Sequence, residues 1–78
     1  MIGNNVKWMD EYGDINSGEV LDISSDKFDD VKYEGEYMYW SKKTKSYRPV
    51  KDKDMDSMFF EIKGKVYNNF ITINEVMV

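Results

Sequence analysis

Val6 and Trp8 alternate with the polar Lys7, and beyond a polar stretch around Gly13 the apolar residues Ile15, Leu21 and Ile23 recur at even spacing. Alternation with period two marks a half-buried strand, so 6–23 reads as a β-hairpin turning at Gly13, where a glycine accepts positive φ without steric cost. Gly18, inside the second strand, predicts a bulge or bend. The polar "SSDKFDD" that follows offers Ser24 or Ser25 as the N-cap of one helical turn, with Phe28 as the residue that pins it to the core.

In the next stretch, Tyr33, Gly35, Tyr37 and Tyr39 fall on one side of a single strand, with Glu34, Glu36, Met38 and Trp40 on the other. "SKKTKS" then predicts a turn and "YRPVK" a short return strand, confined to a sheet edge by Pro49, which cannot donate to a ladder. In "DKDMDSMF", Asp52 can cap a short helix that aligns Met55, Met58 and Phe59 at i, i+3 and i+4, or the chain can simply loop. For the C-terminal segment a two-residue turn at Asn68 and Asn69 pairs Tyr67 with Phe70 and Val66 with Ile71. That register gathers Phe60, Ile62, Val66, Ile71, Ile73 and Met77 on one face, and Glu61, Lys63, Lys65, Thr72 and Asn74 on the other. A competing register, turning at Lys63 and Gly64, leaves the two asparagines without a purpose.

Five to six short strands joined mostly by hairpins define a mainly β fold: a small antiparallel meander curling into an SH3-like barrel or a strongly twisted sheet, with a short helix near 52–58 as an option. The run Val6–Ile23, "VKWMDEYGDINSGEVLDI", is similar in rhythm to the first hairpin of SH3-like barrels. An OB-like barrel and an α+β sheet are the alternatives. Composition agrees with β: alanine and glutamine are absent and leucine occurs once, so three strong helix formers are nearly unused. The expected organisation is a single small domain, 1–78, since 78 residues are close to the smallest size that sustains a core.

The chain has no cysteine and no histidine, which removes disulfides, thiolate metal sites, and both the commonest transition-metal ligand and the usual neutral-pH proton shuttle. Asp52, Asp54 and Asp56 match the first ligand positions of a calcium loop, but Ser57 stands where its glycine belongs and Lys63 where its glutamate belongs. No metal, no cofactor and no catalytic residue is therefore expected, and the chain reads as a non-enzyme. With no apolar run of seven near the start and no long apolar span, neither a leader peptide nor a membrane partner is expected, and a cytoplasmic location follows.

Charge changes the picture more. Residues 1–40 carry a net −7 and residues 41–78 a net +3, within a total of −4. Trp40, Lys42, Lys43, Lys45, Tyr47 and Arg48 form a basic, aromatic hairpin, and Asp26, Asp29, Asp30, Glu34 and Glu36 form an acidic surface. Complementary charge steers encounters with macromolecules. The composition is also rich in Phe, Tyr, Met, Ile, Asn and Lys, as an AT-rich gene dictates and as phage and mobile-element genes often show. The expected function is a binding protein that occupies a host or cognate protein's surface, as a phage or mobile-element inhibitor of a host defence protein. Two alternatives are a small barrel that binds single-stranded nucleic acid through the hairpin 37–53, and a structural or assembly subunit. The lysines also have an ordinary use, blocking edge-to-edge aggregation.

Overall fold

The structure, a computed structural model, describes residues 2–77; Met1 and Val78, the two ends of the expected domain, lie outside the described residues. Among the described residues it is mainly β, with eight strands: β1 (Asn5–Met9), β2 (Ile15–Ser25), β3 (Lys32–Tyr33), β4 (Tyr37–Ser41), β5 (Ser46–Pro49), β6 (Met58–Ile62), β7 (Asn69–Thr72) and β8 (Val76–Met77). They form an antiparallel five-stranded sheet of order β7-β6-β2-β1-β8 and a three-stranded sheet of order β3-β4-β5. Two 3-10 turns, Asp52–Ser57 and Ile73–Glu75, complete the chain.

The first hairpin forms as its alternation predicts, with Val6 opposite Gly18 and Trp8 opposite Asn16. Its inward face differs from the expected set. Val20 faces the core and is fully buried, Ile15 is 52% exposed and Leu21 only half-buried. The cause is a bulge: Val20 pairs with Ile62 but Asp22 pairs with Glu61, leaving Leu21 as the extra residue. The bulge reverses the parity of β2, so Val20 and Ile23, three apart, both point inward. Asp22 Oδ1 accepts from the Ile23 amide at 2.8 Å beside the irregularity. Gly18, the expected bulge position, has a different purpose: a Cβ there would collide with Cγ2 of the fully buried Ile62 and lie 3.7 Å from Trp8.

β6 alternates as a half-buried strand should, burying Met58, Phe60 and Ile62. These join Trp8, Val20 and Ile23 in one core cluster. The hairpin register after β6 is a correction to the sequence reading. Ile71 pairs with Phe60, not Val66, and Asn69 pairs with Ile62, so residues 63–68 form a six-residue loop. Asn68 closes it with its side chain, donating to Glu61 Oε2 at 2.8 Å and accepting from the Gly64 amide at 3.4 Å. Val66 is therefore 88% exposed, and Met77 is 49% exposed. Phe60, Ile62 and Ile71 still share a face, because the slip of six positions is even and an even slip keeps every side chain on its side of the sheet.

The large sheet curls. β7 and β8 are its opposite edges, about 19 Å apart in a flat sheet of this order, yet only Ile73–Glu75 separates them in sequence. A 3-10 turn of that length covers about 8 Å, so the sheet bends until its edges approach. β7 and β8 do not pair with each other, so no closed barrel forms among the described residues. Asn74 Nδ2 donates to Asp56 Oδ1 at 2.9 Å and ties the two 3-10 turns together. The helical option at 52–58 is met by the first of these turns, with half-buried Met55 against the core; Met58 already belongs to β6, and Lys51 rather than Asp52 sits at the cap.

Between β2 and β6 the chain makes an excursion that carries the smaller sheet. No helix forms at 26–30. Instead Ser25 Oγ accepts from the amides of Lys27 and Phe28, both at 3.1 Å, in a tight turn, and Phe28 does pack against the core. The single strand expected over 33–40 is broken by Gly35, at φ 74, into the hairpin β3–β4. Tyr33 and Tyr37 consequently face each other as cross-strand partners with ring centroids 4.9 Å apart. β5 returns along β4, and Pro49 lies on this sheet's outer strand as its missing N–H requires. The described residues extend over 42 × 22 × 21 Å.

Candidate functional site

The β4–β5 hairpin is built from its tip inward. Ser41 pairs with Ser46 across a four-residue loop, and Lys45 adopts left-handed geometry at φ 54. Ser41 Oγ accepts from the Thr44 amide at 3.2 Å, and the Thr44 and Ser46 hydroxyls lie 2.9 Å apart. These bonds leave the side chains of Lys42, Lys43 and Lys45 outside, all exposed, together with Arg48 on β5.

Trp40 and Tyr47 are direct cross-strand partners on one face, with ring centroids 5.1 Å apart and planes at 75°. The edge-to-face arrangement suits the ring quadrupoles. Tyr47 is fixed from two further directions. Its hydroxyl donates to Asp30 Oδ2 at 2.7 Å, and Lys32 Nζ sits 3.7 Å from its ring centroid while also meeting Glu34 Oε1 at 3.0 Å. The hydrogen bond to the Asp30 carboxylate holds the Tyr47 phenol above its ordinary pKa, since ionising it would set two negative charges side by side. On the other face of β4, Tyr39 stacks on Phe28 at 4.1 Å and 20°.

The expected acidic surface and the expected basic hairpin are thus neighbours rather than separate patches. Trp40 N donates to the Asp29 carbonyl at 3.3 Å, and Lys42 Nζ lies 3.6 Å from Asp29 Oδ2. The latter pair is exposed on both sides, where such contacts contribute roughly 0–1 kcal/mol. Asp29, Asp30 and Glu34 come together with the hairpin, whereas Asp26 and Glu36 are exposed and make no side-chain bond among the described residues. Lys43, Lys45 and Arg48 likewise have no side-chain partner among them. Lys32, absent from the expected site, is central to it. Its position in a two-residue strand opposite Met38 depends on the Gly35 turn, which the alternation of tyrosines conceals.

These contacts limit what the rings can do. Tyr39 is stacked internally, Tyr37 is half-buried against the core, and Tyr47 is covered by Lys32 and Trp40. Trp40, 36% exposed, faces outward more than Tyr37, Tyr39 or Tyr47, while Tyr33, 41% exposed, packs on Tyr37 away from the basic turn.

Elsewhere, a groove of about 380 Å³ is lined by Ile2, Asp22, Ile23, Val31, Lys32 and Tyr33, and another of about 370 Å³ by apolar residues including Val6, Tyr37, Phe60 and Val76. Burial raises the Tyr37 phenol pKa in the second. Among the described residues no group of three or more carboxylates is arranged to hold a metal ion. Asp54 instead binds Lys27 at 2.6 Å, and that hydrogen bond lowers its pKa. No helix among the described residues is long and apolar enough to cross a membrane. Comparisons with protein families, curated proteins and solved structures find no match to this chain.

Proposed function

We propose that this chain is a non-enzymatic binding protein that acts by occupying the surface of a protein partner through the β4–β5 hairpin. The observation that carries this reading is the Trp40–Tyr47 pair, clamped by Asp30 and Lys32 and flanked by the exposed turn lysines Lys42, Lys43 and Lys45, with Arg48 exposed on the opposite face of β5. A rigid aromatic anchor inside a charged rim is the pattern of a binding hot spot, because little side-chain entropy remains to be lost on contact. The lack of imidazole and thiol supports the non-enzymatic part. The AT-rich residue usage supports an origin in a phage or mobile element and hence an inhibitor of a host protein acting in the cytoplasm. The curl that brings the last strand back beside the first supports an SH3-like barrel as the scaffold.

The test is capture from bacterial host lysate by wild type and by Trp40→Ala, followed by binding kinetics on the captured protein. Loss of one defined partner with Trp40→Ala, and a slower on-rate for Lys42→Glu/Lys43→Glu/Lys45→Glu, are expected. A partner retained by both variants at unchanged rates removes the hairpin from the account.

The unpaired Lys43, Lys45 and Arg48 favour a second reading, single-stranded nucleic acid bound along the hairpin. The internally occupied ring faces of Tyr39 and Tyr47 weigh against it. Titration with labelled oligonucleotides at two salt concentrations decides: no binding at low salt eliminates it.

A further inference from the structure

The turn of the first hairpin carries a second surface. Met9 and Ile15 are cross-strand partners at its last rung, 53% and 52% exposed, and Tyr12 in the turn between them is 82% exposed. Asp10, Glu11 and Asp14 surround them. Asp10 holds the turn, its carboxylate accepting from the amides of Tyr12 and Asp14 at 2.9 and 3.0 Å and from Asn16 Nδ2 at 2.9 Å. The carboxylates of Glu11 and Asp14 are exposed, with no side-chain partner among the described residues. A rigid tip that combines exposed apolar side chains with acids is the counterpart of the β4–β5 tip, where exposed Trp40 stands among lysines.

The two tips belong to opposite ends of β2. One adjoins Ile15; the other is held by the loop that leaves Ser25, through the Asp29 carbonyl and the Phe28 ring. Among the described residues, one tip carries the unpaired carboxylates of Glu11 and Asp14 and the other the unpaired ammonium groups of Lys43 and Lys45, so the surface that each tip complements is the other tip on a second copy.

We propose that the tips are the two halves of a head-to-tail interface between copies of this chain. Trp40 of one copy seats on Met9, Tyr12 and Ile15 of the next, and Lys42, Lys43 and Lys45 lie against Glu11 and Asp14. The contacting surfaces differ, so the contact is heterologous and propagates into rings or open chains instead of stopping at a two-fold dimer. It shares Trp40 with the partner-binding surface, so self-association and partner binding compete, but it does not depend on that reading. The Met9–Ile15 tip lies outside the partner surface, so its variants test the self-contact alone.

Sedimentation of the full chain up to about 1 mM is the test, at low salt and at about 1 M salt, where screening shortens to about 3 Å. At low salt the average mass should rise with concentration beyond that of a dimer, and fall back at high salt. Glu11→Lys/Asp14→Lys and Lys42→Glu/Lys43→Glu/Lys45→Glu should each associate at least about tenfold more weakly, and an equimolar mixture of the two should reassociate, because each supplies the tip that the other needs. Tyr12→Ser, at a highly exposed position that leaves the charges intact, should weaken association too. A constant monomer mass at the highest concentration, a dimer that survives both reversals, or a mixture that stays dissociated overturns the proposal.

Discussion

The Tyr47 hydroxyl and the Asp30 carboxylate, 17 positions apart in sequence, meet at 2.7 Å and fasten the second strand of the basic hairpin to the acidic loop behind it. Asp30 reaches this position with a left-handed backbone, φ 52, which aspartate tolerates better than most residues. The bond raises the Tyr47 pKa above 10.0 in the folded chain. Its stabilising effect is therefore complete below the ordinary tyrosine pKa and lost as pH rises through the raised value. Phenolate absorbance during alkaline titration should show two late-titrating tyrosines, Tyr37 and Tyr47, one of which Asp30→Asn moves earlier and Tyr47→Phe removes.

Gly18→Ala should destabilise the chain by about 1–3 kcal/mol, the range for overpacking a filled interior. The added methyl meets Ile62, which is fully buried and stiff at its branched carbon. Gly3→Ala, where nothing lies within 4 Å but φ is 88, separates a backbone effect from a packing one. Urea denaturation of both variants measures the difference.

Phe28 and Tyr39 form the stacked contact between the acidic loop and β4. A double-mutant cycle with Phe28→Leu and Tyr39→Leu should return a coupling of about 0.5–1.5 kcal/mol. Amide exchange at Trp40, which donates to the Asp29 carbonyl, should quicken in Phe28→Leu before that of the β2–β6 ladder does.

Two carboxylates are held below their ordinary pKa of 3.8: Asp10, chiefly by the Asn16 amide, and Asp54, chiefly by the Lys27 ammonium. Their contribution is present above that value and disappears as pH falls through the lowered ones. Asn16→Ala and Lys27→Met should each flatten the acid limb of the stability–pH curve, measured by thermal melts from neutral pH down to about 2.

Local alternation made the first hairpin, the return strand at Ser46–Pro49 and the buried face of β6 readable, because each depends on neighbours in sequence. The parity of β2 was not readable: a bulge costs one residue and leaves no mark on composition, so Leu21 appeared inward where Val20 is. Nor was the loop at 63–68, since Asn68 suits a tight turn as well as the longer loop it closes by bonding Glu61. At the candidate site the hairpin residues were visible as charge and aromatic clustering. That the loop acids would reach the hairpin was not, because the Asp30–Tyr47 and Lys32–Tyr47 contacts depend on how the three-stranded sheet folds back.

Ser25 and Met58 are paired neighbours on β2 and β6, so the chain departs from the large sheet and rejoins it at a single rung. Everything between them is in effect a cassette whose ends are already adjacent. Its exposed positions can vary without touching the pairing of the five strands, whereas Phe28, Val31, Tyr37, Val50 and Met55 pack against the core and anchor the excursion to the scaffold that carries it.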